Sequence, residues 1–221
     1  MQIKEFTFNP LGETTRILWQ NPEYAVIVDP AFCIEREKES FYDYIVSNSL
    51  KPCAVLLTHA HFDHVIGVYE LQQRYDIPVY MDPREEQMFG VCKKVSGRIG
   101  FPVIRTDWKY TAVKDGDILD FGGMKFEVIS TPGHTPGSVC YLNREEGIRL
   151  SGDTLFAGSI GRTDLEGGDY DSIILSIMEK LVWLDGGTLI LPGHGPRSTI
   201  GVERISNPFL EPFNEKEELE N

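Results

Sequence analysis

The feature that most constrains the fold is a group of histidines directly after a short apolar run. Residues 58–64 read Thr-His-Ala-His-Phe-Asp-His and follow Cys53–Leu57, which we predict to be a strand. The two-residue period of a strand places His59 and His61 on the same side. The aspartate and the third histidine follow where the chain turns into a predicted helix. In a chain with five histidines among 221 residues, this pattern arises by chance in about two sequences in ten thousand.

The chemistry of this group favours a metal site. Residues 58–64 bring four imidazole or carboxylate groups into one small volume, without a thiolate. Such a donor set suits Zn, Mn or Fe, whereas a closed structural zinc site prefers cysteine. A histidine-rich turn without a metal and a structural, non-catalytic metal are the alternative interpretations.

Two further histidines and one aspartate lie in similar surroundings. His134 lies in a Thr-Pro-Gly-His-Thr-Pro-Gly turn, His194 in Pro-Gly-His-Gly-Pro and Asp153 in Ser-Gly-Asp-Thr, each after an apolar run. Alone, each is a weak signal, because surface histidines and turn aspartates are common. Loops at strand ends are held on a rigid scaffold and often carry functional sites. Together the seven side chains divide into two sets of three and one carboxylate able to bridge them.

Short β-branched apolar runs that end in polar, Gly-rich turns alternate with helical patterns along the chain. One helix is predicted over Ser172–Leu184, with Asp171 as its N-cap and the Asp185-Gly186-Gly187 sequence as its end. Strands mixed with helices throughout predict an α/β or α+β sandwich. Because there is no low-complexity linker, we predict one domain over 1–210, followed by a solvated acidic tail over 211–221.

Composition narrows the classes of partner. The net charge of −13 repels phosphate backbones and argues against a nucleic-acid partner. No apolar stretch approaches the ~18 residues of a membrane span, and the first residues lack the layout of a signal peptide. The four cysteines form no CxxC pair, so we predict reduced thiols and a cytoplasmic location.

The order of these motifs resembles the metallo-β-lactamase superfamily, and within it the glyoxalase II-like (hydroxyacylglutathione hydrolase-like) hydrolases. The resemblance extends from about Asn9 to Leu210 and includes the Val-Ile-Val-Asp-Pro segment at 26–30. The Gly-Arg-Thr-Asp segment at 161–164 and the Asn-Pro-Phe-Leu segment at 207–210 are similar to those of a short branch of that group. The resemblance implies an αββα sandwich of the α+β class, with the metals at one edge between two sheets.

The resemblance also implies two metal ions, which we expect to be Zn²⁺, with Fe or Mn as alternatives. The implied ligands of the first metal are His59, His61 and His134. Those of the second metal are Asp63, His64 and His194, and Asp153 is implied to bridge both metals.

The activity that the resemblance implies is hydrolysis of a thioester or ester by a hydroxide that bridges the two metals. Asp63 is also a candidate for proton transfer. The chain has no Gly-x-Ser-x-Gly sequence, and all five histidines are assigned as ligands. A serine or cysteine nucleophile would therefore have no histidine to act as its base.

Two further residues receive provisional roles. Asp29 ends the Val-Ile-Val-Asp segment and is our candidate for a carboxylate that orients a ligand histidine; a cap of the strand end is the alternative. Arg162 follows Asp153 by nine residues and is our candidate for binding the carboxylate of an anionic small-molecule substrate. A structural pairing of Arg162 with Asp164 is the alternative.

Departures from the family pattern leave several functions open. Full-length glyoxalase II carries a C-terminal helical domain that binds glutathione, and about 27 residues after His194 leave no room for it. Asp153 stands where the main class B β-lactamases have cysteine, which argues against antibiotic hydrolysis. A mononuclear-iron persulfide dioxygenase is the main alternative, because it shares all the ligand positions. A ribonuclease or phosphodiesterase and a non-enzymatic metal-binding module are further alternatives, and the oligomeric state is open.

Overall fold

Two mixed six-stranded sheets form the centre of the molecule, for which a computed structural model describes residues 1–98 and 100–213. The first sheet contains, in this order, β1 (Gln2–Phe8), β2 (Glu13–Trp19), β3 (Ala25–Val28), β4 (Pro52–Leu56), β5 (Val79–Met81) and β6 (Thr111–Ala112). The second begins with β7 (Ile118–Phe121), β8 (Met124–Ser130), β9 (Val139–Asn143) and β10 (Ile148–Gly152). After a small hairpin of β11 (Leu155–Phe156) and β12 (Ser159–Ile160), β13 (Leu189–Pro192) and β14 (Ser198–Thr199) complete the second sheet beside β10.

The helices connect the strands and cover the outer faces of the sheets. They are α1 (Glu35–Ser47), α2 (Phe62–Val65), α3 (Val68–Tyr75), α4 (Met88–Arg98), α5 (Tyr170–Lys180) and α6 (Ile200–Ser206). Two 3₁₀ helices, Pro83–Gln87 and Pro208–Phe213, precede α4 and follow α6.

Successive side chains of the central strands point to opposite faces of the sheets, and this builds three apolar layers. Val26 and Val28 of β3 pack between the two sheets, whereas Ile27 packs against α1 and α3. On the far side, Ile190 of β13 packs against Ile173 of α5. Because both faces of the central strands are covered, these strands are apolar throughout. The architecture is an αββα sandwich of the α+β class, which confirms the expected fold.

The predicted helix over Ser172–Leu184 is shifted and shorter in the structure. Asp169, not Asp171, is the N-cap of α5, and its side chain accepts a hydrogen bond from the backbone of Ser172 at 2.7 Å. The helix ends at Lys180, and Arg204 of α6 donates to the carbonyl groups that follow, those of Val182 and Leu184. The N-cap prediction was wrong because two aspartates compete, and the end was wrong because a tertiary contact replaces the helical bonds.

Strand direction explains why the polar loops meet. β8, β10 and β13 run in one direction, since β9 is antiparallel to β8 and β10, and β13 is parallel to β10. Their carboxyl ends meet the end of β4, where the Thr58 carbonyl accepts a hydrogen bond from the backbone of Val139 at 2.8 Å. The loops that follow β4, β8, β10 and β13 therefore share one edge of the sandwich.

The C-terminal boundary stays a prediction. Leu210 packs in the third apolar layer, and residues 211–213 complete the last 3₁₀ helix. The rest of the predicted acidic tail lies outside the described residues. Within the described part of the chain, no helix has the length and apolar character that crossing a bilayer requires.

Candidate metal centre

The structure brings all seven predicted metal ligands to the edge where the polar loops meet. His59 and His61 follow β4. The α2 helix begins directly after His61 and carries the ligands Asp63 and His64 on its first turn. The loops after β8, β10 and β13 supply the other three residues, which are His134, Asp153 and His194.

Three imidazoles form the first ligand set, which is His59, His61 and His134. His61 Nδ1 lies 3.1 Å from His59 Nε2 and 2.8 Å from His134 Nε2. The three nitrogen atoms lie within 4.8 Å of one another. Nitrogen atoms this close together can share one cation.

The second ligand set is Asp63, His64 and His194. His194 Nε2 lies 3.3 Å from His64 Nε2 and 3.4 Å from Asp63 Oδ2. As in the first ligand set, one atom of each side chain points to a common centre.

Asp153 lies between the two sets. Its Oδ2 is 3.5 Å from His134 Nε2 of the first set and 3.6 Å from His194 Nε2 of the second. Its Oδ1 is 3.5 Å from His64 Nε2. Gly193 makes this approach possible, because a Cβ added there would lie 2.3 Å from Asp153 Oδ1.

Hydrogen bonds on the far side of the rings orient the histidines. His134 Nδ1 donates to the Arg162 carbonyl at 2.8 Å, and His194 Nδ1 donates to the Leu11 carbonyl at 3.2 Å. Each bond fixes the proton on Nδ1 and leaves the Nε2 lone pair directed at the centre.

Asp29 serves both ligand sets from behind. Its Oδ2 lies 3.1 Å from His64 Nδ1 and accepts from the Thr58 hydroxyl at 2.6 Å, while Oδ1 accepts from the Thr58 backbone at 2.8 Å. The same hydroxyl lies 3.1 Å from His59 Nδ1 and can accept a hydrogen bond from it. The backbone of Asp29 is left-handed, with φ of 46°, a conformation that aspartate tolerates better than most residues. This geometry suits the orienting role expected for Asp29.

Burial keeps the first ligand set neutral. Desolvation, together with the nearby charge of His64, holds the pKa of His59 well below its ordinary value. Desolvation and the charge of His134 lower the pKa of His61 to about 3. The pKa of His134 is also lowered by burial, although Asp153 acts against this. Neutral imidazole is the form that binds metals.

Nearby carboxylates have the largest net effect on the pKa values of the two histidines in the second ligand set. Burial acts to lower the pKa of His64, but Asp153 and the hydrogen bond to Asp29 outweigh it, and the pKa lies well above its ordinary value. The pKa of His194 is raised in the same way by Asp63 and Asp153, against burial. Burial acts to raise the pKa of Asp63, but the hydrogen bond from His194 and the charge of His64 lower it to about 2. The negative charge gathered here is what a cation would neutralise.

The residues present fit a pair of divalent cations. Asp153 Oδ1 is buried and finds no hydrogen-bond partner among the described residues, a situation that costs about 1–3 kcal/mol unless a ligand relieves it. Lone pairs of imidazole and carboxylate converge around it without a thiolate, and this mixed donor set suits Zn, Mn or Fe.

Sequence analysis missed two buried carboxylates beside the site. Glu85, in the first 3₁₀ helix, accepts hydrogen bonds from the backbone of Ala60 at 2.6 Å and of Gly137 at 2.7 Å. It thus joins the loop of His61 to the loop of His134. Glu13 begins β2, and its Oε1 lies 3.8 Å from His64 Nδ1; desolvation raises its pKa well above the ordinary value. Glu85 stands in no motif, so no local signal pointed to it. Glu13 ends the Asn-Pro-Leu-Gly-Glu segment at 9–13, which is part of the family resemblance, but it received no role there.

A cavity of about 580 Å³ opens onto the two ligand sets. Ligand side chains that line it include His61, Asp63 and Asp153, and its apolar lining includes Phe62 and Phe156. A volume of this size is typical of small-molecule sites.

Arg162 lines the cavity, but its guanidinium is already paired. Nε and Nη2 each lie 2.7 Å from a carboxylate oxygen of Asp164, and this bidentate bond raises the pKa of Arg162. The structural alternative considered for Arg162 is therefore present. Its backbone carbonyl contributes to the site by accepting the hydrogen bond from His134 Nδ1.

Comparison with known proteins places this site in a family. Residues 13–196 match the profile of the metallo-beta-lactamase superfamily. The "Probable metallo-hydrolase YqgX" of Bacillus subtilis is 39% identical over 194 residues, which are 87% of this chain and 90% of that protein. "Hydroxyacylglutathione hydrolase GloC" of Haemophilus influenzae is 34% identical over 214 residues, 95% of this chain and 98% of that protein.

Two solved structures are similar over almost the whole chain. A B3 metallo-beta-lactamase, BLEG-1, has a TM-score of 0.86 and 36% identity, covering 95% of this chain and 99% of that one. TTHA1623 in a di-iron-bound form has a TM-score of 0.83 and 34% identity, covering 94% of this chain and 100% of that one.

Proposed function

The chain belongs to the metallo-β-lactamase superfamily, and we propose that it is a two-metal hydrolase that cleaves a thioester or ester, as glyoxalase II-like enzymes do. The observation that carries the proposal is Asp153, a largely buried carboxylate within 3.6 Å of imidazole nitrogens from both ligand sets. The relative named as a hydroxyacylglutathione hydrolase, similar over 95% of this chain, supports the choice of thioester.

In this proposal the first ligand set would hold one ion and the second ligand set the other, with Asp153 available to both. Zinc is our first choice of metal, iron and manganese are the alternatives, and the di-iron form of TTHA1623 favours iron over manganese. When bound, such ions would lower the pKa of a bound water to about 7 and polarise the carbonyl group of the substrate.

Other groups of the protein orient the histidines that would hold the metals. Asp29 and the Arg162 carbonyl fix the rings of His64 and His134, so the geometry of the centre is set before substrate arrives. Asp63 lines the cavity beside His194, its neighbour in the second ligand set. We propose that, besides holding the metal, its carboxylate receives the proton that the attacking water loses.

The proposed substrate is a small molecule in a reducing compartment. The cavity of about 580 Å³ accepts a molecule of metabolite size rather than a folded polymer. All four cysteines are free thiols, which supports the cytoplasmic location that we propose.

Hydrolysis of a β-lactam amide is a second candidate, favoured by the similarity to a protein described as a B3 metallo-beta-lactamase. Attack on a lactam carbonyl uses the same polarised carbonyl and the same nucleophile as attack on a thioester. Asp153, which stands where the main class B β-lactamases have cysteine, argues against this candidate, so it stays second to thioester hydrolysis.

The test combines metal analysis with a substrate panel. Chelated protein is reloaded with Zn²⁺, Mn²⁺ or Fe²⁺ and assayed on S-lactoylglutathione, simpler thioesters, an aryl ester, a β-lactam and a phosphodiester. We expect two ions per chain and thioester turnover that chelation abolishes. Turnover of the β-lactam alone would favour the second candidate. Oxygen uptake with a persulfide and one iron per chain would identify a dioxygenase, and metal binding without any turnover would identify a binding module.

A further inference from the structure

We propose, on the premise of the hydrolase function above, that α4 binds the anionic end of the substrate. The binding groups are Lys94 and Arg98, and the substrate is a thioester or ester that carries a carboxylate at a distance from its reacting carbonyl. Val91 and Val95 contact the chain between these two ends.

The α4 helix has one face for the protein and one for the cavity. Its buried residues follow a spacing of four and are Met88, Cys92 and Ser96. The residues that line the cavity follow the spacing i, i+3, i+4, i+7 and are Val91, Lys94, Val95 and Arg98, joined by Cys92 at the boundary. Residues at these spacings share one side of a helix, so the two cations and two valines form a single surface.

The cations of this surface are available for a ligand. Among the described residues, neither Lys94 nor Arg98 takes part in a salt bridge. The third cation of the cavity, Arg162, is held by Asp164. In a chain with net charge −13, two uncompensated cations at one cavity mark the place where an anion is attracted.

Glu166 also lines the cavity, but it belongs to the segment of Arg162 rather than to α4. Outside the two ligand sets, this single carboxylate of the lining faces the two cations of α4 and the paired Arg162. The balance of charge in that part of the cavity therefore favours an anion.

The α4 surface is fixed relative to the metal centre. Cys92 Sγ donates to the carbonyl of Ala60, between the two histidines of the first motif, at 2.6 Å. Because the helix is anchored to a ligand loop, a substrate whose carbonyl lies at the two ligand sets has its far end within the reach of α4. The charges act through their position and take no part in the chemical step.

The experiment compares two substrates that share an acyl group. One is the lactoyl thioester of 6-mercaptohexanoate, which carries one carboxylate at its far end, and the other is the lactoyl thioester of 6-mercaptohexanamide, which has the same length and no charge. We expect the zinc-loaded wild type to prefer the anionic thioester by about tenfold in kcat/KM, the effect of about 1.4 kcal/mol. In the Lys94→Ala, Arg98→Ala double variant this preference should vanish through KM, while kcat/KM for the neutral thioester stays within about twofold.

Lys93→Ala is the matched control, because Lys93 is an exposed cation of the same helix that does not line the cavity. It removes one charge and should leave the preference intact. Salt should reduce the preference of the wild type and leave the double variant unaffected. An equal preference in wild type and double variant, or an equal loss in Lys93→Ala, would overturn the proposal.

Direct binding separates this inference from the hydrolase function. 6-(Methylthio)hexanoate has no thiol to ligate a metal and no bond to hydrolyse, and its affinity for the zinc-loaded protein is measured by calorimetry. Tighter binding to wild type than to the double variant supports the α4 site even if no thioester is turned over, in which case only the proposed function fails. Turnover of both thioesters without a difference in this binding overturns the α4 site alone.

Discussion

At the residue scale, Asp153 is the proposed bridge between the two ligand sets. Asp153→Asn keeps the size and removes the charge, so we expect both ions to bind more weakly together, by about 100-fold or more, since loss of a supporting group alone costs 10–100-fold. Elemental analysis after dialysis against a weak chelator measures this loss. Asp171→Asn, at an exposed position of α5, is the control. Loss of one ion with full retention of the other would contradict the bridging position.

Cys92 lines the cavity but is not suited to be a nucleophile. Desolvation, with the charges of Glu85 and Asp63, raises its pKa to about 12, so at neutral pH it stays a thiol, whose reactivity is low. We expect Cys92→Ala to keep hydrolysis within a few fold, and iodoacetamide to react with Cys92 slowly at pH 7 and faster as pH rises. Loss of all turnover with normal metal content would show that a cysteine takes part in the chemistry.

At the element scale, Glu85 connects two loops that are far apart in sequence. It is fully buried and accepts from the backbones of Ala60 and Gly137. Glu85→Gln turns one acceptor into a donor that faces an N–H group, so we expect a loss of about 1–3 kcal/mol in the free energy of unfolding. Because the loops carry His61 and His134, we also expect weaker binding of the first ion, by about tenfold or more, measured by competition with a chromophoric chelator.

Glu203→Gln provides the matched control for that variant. Glu203 is 2% exposed and accepts from the Gly158 backbone and the Asn207 side chain. These partners lie outside the loops of His61 and His134 that Glu85 joins. It should lose similar stability and no metal affinity. Equal metal affinity in the two variants would reduce Glu85 to a structural residue without influence on the centre.

What the sequence predicts well is what it encodes locally. Asp153 and His194 stand in short polar loops after apolar strands, which made them weak local signals, and the family resemblance gave them their expected roles as ligands. Glu85 could not be found this way, because its role arises from two backbone contacts that only the packed chain brings together. The cavity-lining surface of α4 could not be predicted for the same reason, because the packing of the helix decides which of its residues face the cavity. Arg162 was found, but its pairing depends on the rotamer that Asp164 selects.

At the scale of the whole molecule, Glu5 holds two arginines from different parts of the sandwich. It accepts from Arg16 of β2 at 2.9 Å and from Arg197, next to β14 of the other sheet, at 2.8 Å. Partial burial acts to raise the pKa of Glu5, but the hydrogen bonds and charges of Arg197 and Arg16 outweigh it and hold the pKa below its ordinary value. The ionised carboxylate is therefore the form that stabilises the fold.

A depressed folded-state pKa stabilises above the unfolded value near 4.5, and this contribution is lost as pH falls through the lower, folded value. At pH 7 we expect Glu5→Gln to lower the free energy of unfolding by about 1–3 kcal/mol, because Arg16 is left buried without its charge partner. The difference from wild type should shrink below about pH 4.5. Glu23→Gln, which breaks an exposed pair with Lys51, should cost less than about 1 kcal/mol at any pH. Urea titrations across this pH range decide between the outcomes.

The meeting of four strand ends at one edge has a consequence for how the protein matures. The proposed ligands are spread along the chain from His59 to His194, and each ligand set takes members from both sheets. A nascent chain on the ribosome that has not yet reached His194 thus offers only an incomplete second ligand set, so stable capture of the metal pair follows synthesis of both sheets. Bound at these sets, two metal ions would cross-link distant segments much as a disulfide would, which restricts the unfolded chain most when the closed loop is long. The metals would then join the two sheets at this edge, and their removal should make the ligand loops more sensitive to proteases.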